Sequence, residues 1–380
     1  MERIGNYVEE NYPNLTMEHI DWDGTSTQLQ ENYGKQIIPD VLLAFTGQQP
    51  LEELDMVYPL EEMIEAFNVD LDQIEPVLLD EIRSRDKSSR LVGLPQEVAQ
   101  FGLYYNKDIF DLFGVPYPNP DESMSWDEVL ELAKKMTGKR GEATYCGLDF
   151  NEGSLAMVPL WQLSANMTDP DTGEVLLLSD PKFTKYMDLM GTYYNIPGIQ
   201  DESCSFINKN TAMMINWHGF AGLNIGDSTE EAIKYIENID VVPLPTWSDL
   251  PNVGPTPQGI HPWVINNYSE QKEAALQFIL AGVTKEYQIK LASVGTPSVL
   301  NIPEVTEQYG VNKEILQGKN TAAFLHNTPA KPSDKKSYWD QYVNLDMKEF
   351  LESGLDIKEF LRVTSEAAEV AIQDAKAQQE

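Results

Sequence analysis

Residues 98–114 read VAQFGLYYNKDIFDLFG, and this stretch decides the fold class. Residues 98–105 are apolar and aromatic and predict a strand. Residues 107–113 follow without a linker as a short helix, and Gly114 is placed to stop it. Working upstream, Pro95 separates this strand from another at residues 91–94. Residues 15–20 and 41–45 also read as strands, the second apolar on both faces as in a covered parallel sheet. Helical patterns at 59–67 and 71–83 lie between them, an alternation that argues for an α/β domain with helices on the sheet faces. Downstream, Pro116, Pro118 and Pro120 make a rigid loop, and Ser125 with Glu128 forms a capping box for a helix carrying Leu130, Leu132, Ala133 and Met136. Strands near 145–150 and 212–215 and one ending at Val242 and Pro243 then alternate with helices through Trp161, at 181–194 and at 229–237. This is a second α/β pattern over roughly 106–260. Residues 259–265 read as a strand, Ser269 as the cap of the next helix, and helices dominate from there to a polar tail at 373–380.

The chain has 380 residues, room for two domains of ordinary size. Its 27 Lys and Arg against 61 Asp and Glu give a formal charge of −34. Such a field repels phosphate backbones and anionic lipid heads, so nucleic acid is set aside as a partner. Charges interrupt every apolar run before the roughly 18 residues that a membrane span needs. Cys146 and Cys204 read as buried or half-buried free thiols rather than a disulfide. No pair among them and His19, His218, His261 and His326 has metal-ligand spacing, so neither a metal nor a cofactor is expected.

Catalytic signatures are missing: there is no G-x-S-x-G, H-E-x-x-H, Walker-type loop or G-x-G-x-x-G. Residues 21–24 (DWDG) suggest a calcium loop, but the Gly comes two positions early and no Glu closes it. Asp169, Asp171 and Glu174 around Gly173 read as a solvated hairpin turn. With 61 acidic residues, paired carboxylates carry no weight. Aromatic placement says more. Asn216, Trp217 and His218 follow an apolar strand directly; Gly259, His261 and Trp263 sit beside Pro257 and Pro262; and Tyr338 and Trp339 follow the loop at Pro332. Ligands of α/β proteins collect at the carboxyl ends of strands. A sugar ring, with apolar C–H faces and hydroxyls, calls for flat rings beside hydrogen-bonding side chains. Trp126, beside a helix cap, reads as core.

Several motifs together resemble the family 1 extracellular solute-binding proteins of bacterial ABC importers, the sugar and oligosaccharide type that includes the maltose-binding proteins. They are Gly93-Leu94-Pro95, Leu103-Tyr104-Tyr105-Asn106-Lys107-Asp108-Ile109-Phe110, Phe113-Gly114-Val115-Pro116, and Ser125-Trp126-Asp127-Glu128 with Leu132-Ala133. Thr211-Ala212-Met213-Met214, Glu273-Ala274-Ala275 with Phe278, and Glu286, Gln288 and Gly295-Thr296-Pro297 follow in the family's order. The resemblance implies an α/β fold of two lobes, each a mostly parallel sheet flanked by helices, with the solute in a cleft between them. By position, one lobe comprises residues 1–105 with about 264–300 and the other 106–260 with about 320–380. Crossings fall near 104–106, 259–263 and 295–332.

The resemblance also implies an export leader, often with a lipid-modified cysteine, and a first strand. This chain instead opens inside a helix, with Ile4, Tyr7, Val8 and Tyr12 at helical spacing up to Pro13. The expectation is a shortened start that leaves a sheet edge unpaired, in a protein of the periplasm or, lipid-anchored, of the extracellular face of the cell membrane. The expected function is non-catalytic capture of a carbohydrate and its delivery, by a monomer, to permease subunits. The expected ligand-binding residues are Thr46, Gly47, Gln48, Gln96, Glu97, Trp161, Asn216, Trp217, His218, Gly259, His261, Trp263, Tyr338 and Trp339. The competing readings are the same fold holding a polyamine or peptide, a secreted polysaccharide-cleaving enzyme, and a cytosolic scaffold with a vestigial cleft.

Overall fold

Asn106 is where the quoted stretch turns from strand to helix. Its side chain accepts the Asp108 backbone N–H (3.0 Å), satisfying one of the free donors of the helix Lys107–Phe113. The computed structural model describes residues 2–150, 153–219 and 230–379. Thr229 and Glu380, the ends of an expected helix and of the expected tail, lie outside the described residues. The strands described are β1 (Val41–Leu43), β2 (Gly93–Leu94), β3 (Phe101–Asn106), β4 (Gly138–Arg140), β5 (Ala143–Asp149), β6 (Thr211–Trp217), β7 (Ile239–Pro243), β8 (Val253–Gly254), β9 (Trp263–Ile265) and β10 (Thr328–Pro329). The chain divides into two compact units, Met1–Ala99 with Pro257–Gln317 and Gln100–Thr256 with Gly318–Glu380.

In the second unit β3 is buried at every position because it is paired on both sides. The sheet order is β4-β5-β6-β3-β7. Tyr104 faces Met214 on β6 and Val241 on β7, both antiparallel, while β5 runs parallel to β6. The capping box forms as read: Ser125 accepts the Glu128 N–H (3.2 Å) and Glu128 accepts the Ser125 N–H (2.7 Å), starting the helix Trp126–Lys135. That helix lies close on β5 because position 147 is glycine, where a Cβ would stand 1.9 Å from the Ala133 carbonyl oxygen. Trp126 is core, as read; it stacks on Phe150 (5.6 Å) and donates its indole N–H to Gln162 Oε1 (2.8 Å). The helix Pro181–Tyr194 has the expected bounds, with Asp180 as its cap. Residues 373–379 are no loose tail but the last turns of the helix Ile357–Gln379.

The cysteines correct the sequence reading: Cys146 and Cys204 form a disulfide. The reason is a backbone turn that spacing does not reveal. Asn210 accepts the Ser205 N–H and donates to the Ser203 and Thr144 carbonyls, folding residues 203–210 back against the start of β5. The two Cα atoms come within 5.9 Å, inside bonding range.

The first unit is smaller in sheet. β9 lies between β1 and β2 and is antiparallel to both, with Leu42 opposite Val264 and Leu94 opposite Trp263. The sheets expected to be mostly parallel are therefore mixed in the second unit and antiparallel in the first, where the middle strand comes from the returning segment and runs against its neighbours. Residues 15–20 form no strand. They line, with Val41–Leu43, Ile4, Leu29 and Phe278, a cavity of about 720 Å³ beside the β1 edge of the sheet. That edge position also leaves only Leu42 of β1 fully buried, not both faces as read. Ser269 does not cap the next helix. Gln271 precedes Lys272–Ala281, and Ser269 instead donates its hydroxyl to Asp40. The helix Glu2–Asn11 buries Ile4, Tyr7 and Val8, with Tyr7 against Tyr287 at 4.9 Å. The two acidic stretches read as cation-friendly are turns: Asp23 accepts from Thr25, and Asp169 from Asp171 and Thr172.

Candidate functional site

In the first unit the sheet register gathers three loops at one end. Ala44 donates to the Pro262 carbonyl (3.0 Å), one step past β1, so Thr46, Gly47 and Gln48 leave the sheet where β9 enters it through Gly259 and His261. Leu94 opposite Trp263 brings Gln96 and Glu97 to the same end. The gathered residues differ in what they present. Gln96 is committed inward at both ends of its amide, donating to Tyr287 Oη (2.8 Å) and accepting the Trp263 indole N–H. Trp263 is 3% exposed, its ring edge-on to Phe278 at 5.1 Å. Gln48 is buried and donates to the Ile82 carbonyl (3.3 Å). Gly259 has a positive φ of 63°, and a Cβ there would meet the Ala99 Cβ at 3.0 Å, so the close pairing of Ala99 with Gln258 needs glycine.

The surface is made by Thr46, whose hydroxyl donates to the Gly24 carbonyl (2.7 Å), by exposed Glu97 and by half-buried His261. Burial lowers the His261 pKa below its ordinary value, the Glu97 carboxylate opposes that shift, and Arg85 adds to it. A neutral imidazole offers one donor and one acceptor, the pattern of a hydroxyl partner. Sequence reasoning missed Phe45 and Trp22, whose rings meet edge-to-face at 5.3 Å beside Thr46. No sequence signal marked Phe45, which lay inside the run read as a strand; its 40% exposure is a product of the fold.

In the second unit the aromatic cluster stands where β6 ends. Trp217 packs on Phe101 at 4.6 Å across the β3–β6 pair, in which the two residues are direct register partners, and Phe101 also meets Trp161 at 6.1 Å. Trp161 and Trp217 are half-buried, so each ring keeps an open portion. His218 extends the pairing by donating its backbone N–H to the Gln100 carbonyl (2.8 Å), and its Nδ1 accepts the Gln100 N–H (3.2 Å). With Nδ1 as acceptor, a neutral His218 carries its proton on Nε2. Asn216 is turned inward, 1% exposed, with Oδ1 accepting the Trp217 N–H (2.8 Å). Sequence reasoning missed Phe101 as the middle ring, because it lay inside a run read only as strand.

Tyr338 and Trp339 form a separate group. They head the short helix Tyr338–Tyr342, their rings 5.2 Å apart, and the Lys376 ammonium lies 4.9 Å from the Trp339 ring centre. Ser337 caps this turn while accepting the Thr168 hydroxyl (2.7 Å), which fixes it to the hairpin at residues 169–173.

Each unit thus carries half-buried rings and hydrogen-bonding side chains at one end of its sheet. Residues 39–289, about two thirds of the chain, match the profile described as bacterial extracellular solute-binding protein. The chain belongs to that family. Among solved structures, this solute-binding protein is similar to a sugar transporter of Rhizobium etli in an open conformation, at 20% identity over 97% of this chain and 95% of that one, with a TM-score of 0.70. It is also similar to the sugar-binding protein MalE of Xanthomonas citri, at 18% identity over 100% and 96%, TM-score 0.70. A third is UgpB of Mycobacterium tuberculosis in complex with glycerophosphocholine, at 16% identity over 98% and 94%, TM-score 0.65. At these identities the likeness is one of fold. Among curated proteins none matches the chain. Among the described residues of this solute-binding protein, no helix is long and apolar enough to cross a membrane.

Proposed function

We propose that this solute-binding protein captures a carbohydrate, an oligosaccharide by preference, without altering it, and hands it to the permease of an ABC importer. The observation that carries the reading is the cluster Trp161–Phe101–Trp217. Its two outer rings are half-buried at the end of a sheet, beside an imidazole whose backbone is locked into the strand pairing. Such rings suit the C–H faces of a pyranose, and the imidazoles of His218 and His261 and the carboxylate of Glu97 suit its hydroxyls. The names of the Rhizobium and Xanthomonas relatives support a sugar.

Contacts that form only in the ligand-bound state shift the population toward that state by their differential affinity. The ligand-facing set is Thr46, Gly47, Glu97, Trp161, Trp217, His218, Gly259, His261, Tyr338 and Trp339, with Phe45 and Phe101 added. Gln48, Gln96, Asn216 and Trp263 act behind them by fixing these loops. The Cys146–Cys204 disulfide supports an oxidising compartment such as the periplasm or the extracellular face of the cell membrane.

The test is a thermal-shift screen over mono- and oligosaccharides, with glycerophosphocholine, spermidine and short peptides alongside. A ligand held at 100 times its Kd stabilises the native state by about 2.7 kcal/mol. A shift with an oligosaccharide, and intact sugar recovered after incubation, is expected. Cleaved sugar, or shifts only with the non-sugar solutes, overturns the reading.

A further inference from the structure

The helix Gln49–Glu52 begins immediately after the Thr46–Gln48 loop, and the Glu52 N–H donates to the Gln48 carbonyl (3.0 Å). Residues 48 and 52 therefore stand one helical turn apart, on the same side. Both side chains end in a buried acceptor with no donor among the described residues, Gln48 Oε1 and Glu52 Oε1. An unmet buried acceptor is costly. Turning the Gln48 amide over does not help. Its Nε2 already donates to the Ile82 carbonyl (3.3 Å), and the flip would set oxygen against oxygen there. A protonated Glu52 carboxyl supplies a hydrogen one helical turn from the Gln48 acceptor.

We propose that Glu52 keeps its proton in the folded protein and donates it to Gln48 Oε1, so that the loop between β1 and this helix is anchored by a neutral carboxylic acid. This goes beyond the binding reading and does not depend on it. The other charged groups around the site agree. The Lys87 ammonium and backbone N–H favour the charged Glu52 carboxyl only weakly. The Asp86 carboxylate faces it from the end of the helix Pro76–Arg85 and opposes a second negative charge. Arg90 is spent on Asp86, with contacts of 2.7 Å and 3.0 Å, and so attracts Glu52 only at a distance. Glu81 takes Arg85 (2.9 Å), and Glu61 accepts the Leu91 N–H (2.6 Å). Burial, the largest cause, then Asp86, push the Glu52 pKa from 4.5 to about 7, against the weaker pull of Lys87 and Arg90.

The sign follows from linkage. Between pH 4.5 and about 7 the unfolded chain releases the Glu52 proton and the folded one keeps it. Stability is therefore lost as pH rises through that window, and the loss levels off above it. The reference is Glu52→Gln, whose amide offers a hydrogen to Gln48 and an oxygen to Lys87 yet cannot ionise. In urea unfolding of the full chain from pH 4.5 to 8, the folded-to-unfolded ratio of the unsubstituted protein should fall relative to this variant by up to about tenfold per pH unit, and by at most about 150-fold over the range, less as solvent screens the half-buried carboxyl. A difference that stays constant over the range overturns the proposal. An independent readout uses protein labelled with ¹³C at the glutamate carboxyls, with the Glu52 signal assigned by its loss in the variant. Titration of that signal near pH 7 is expected. A Glu52 carboxylate already ionised at pH 5.5 refutes the proposal, and does so even if the variant folds poorly.

Discussion

Breaking the Cys146–Cys204 bond tests the second unit at one covalent point. The bridge closes a loop of 58 residues of sequence separation. In the chain-entropy treatment, a loop that long removes about 14 cal/mol/K from the unfolded ensemble, about 4 kcal/mol at 25 °C. The folded state should survive the loss. Cys146 remains in β5 with its N–H on the Asn210 carbonyl (3.0 Å), and the Asn210 side chain still holds the 203–205 turn. The effect therefore falls on the unfolded chain, and ring packing elsewhere should be unchanged. With a urea slope of about 2–3 kcal/mol/M, the midpoint should drop by about 1.5–2 M. Tryptophan fluorescence is a suitable probe, since Trp126, Trp161, Trp217, Trp247 and Trp339 all lie in this unit and only Trp22 and Trp263 in the other. Unfolding curves would be compared for the oxidised protein, the reduced protein, and Cys146→Ala/Cys204→Ala with and without reductant. The reduced protein and the double variant should coincide, and reductant should leave the variant unmoved. Coincident midpoints for oxidised and reduced protein would refute both the cross-link and the compartment argument built on it.

Further outcomes follow from single contacts. Trp217→Ala removes the outer ring of the Phe101 pair and, on the binding reading, should weaken oligosaccharide affinity at least tenfold by calorimetry, while the far-ultraviolet dichroism stays the same. Gly147→Ala forces a methyl into the Ala133 carbonyl; it should cost about 3 kcal/mol or more in urea unfolding, and an unchanged midpoint would show that the helix does not sit on β5 as described. His261 has a lowered pKa, so its stabilising contribution is present above pH 6.5 and lost as pH falls through the folded value. His261→Gln should flatten that acid limb, as read from melting temperature between pH 4.5 and 7.5.

The local chemistry of this protein was legible in the sequence wherever one element decides its own ends. Asn106 and Gly114 around one helix, Ser125 with Glu128 at another, and Asp180 before Pro181 are contacts over three or four residues. A linear reading therefore contains both partners. The apolar runs of β3 and β6 likewise read as strands, whereas the run at 41–45, read as covered on both faces, buries only Leu42. The order of the LYYNKDIF block and its neighbours points by itself to the solute-binding family that the chain matches.

What only tertiary structure decided are the pairings between distant segments. The disulfide depended on Asn210 folding a turn back onto β5, and residues 15–20 stayed unpaired although their pattern suits a strand. Gln96 and Trp263 have the right types for a binding surface, yet their hydrogen bond turns both inward, and Asn216 is buried where β6 pairs with Gly102 of β3, while Phe101 looked like plain core and stands between two half-buried rings. The cause is common to all of them. A side chain's type sets what it is able to bond, but which partner it meets depends on register and return paths across 50 to 200 residues, and no local pattern encodes those.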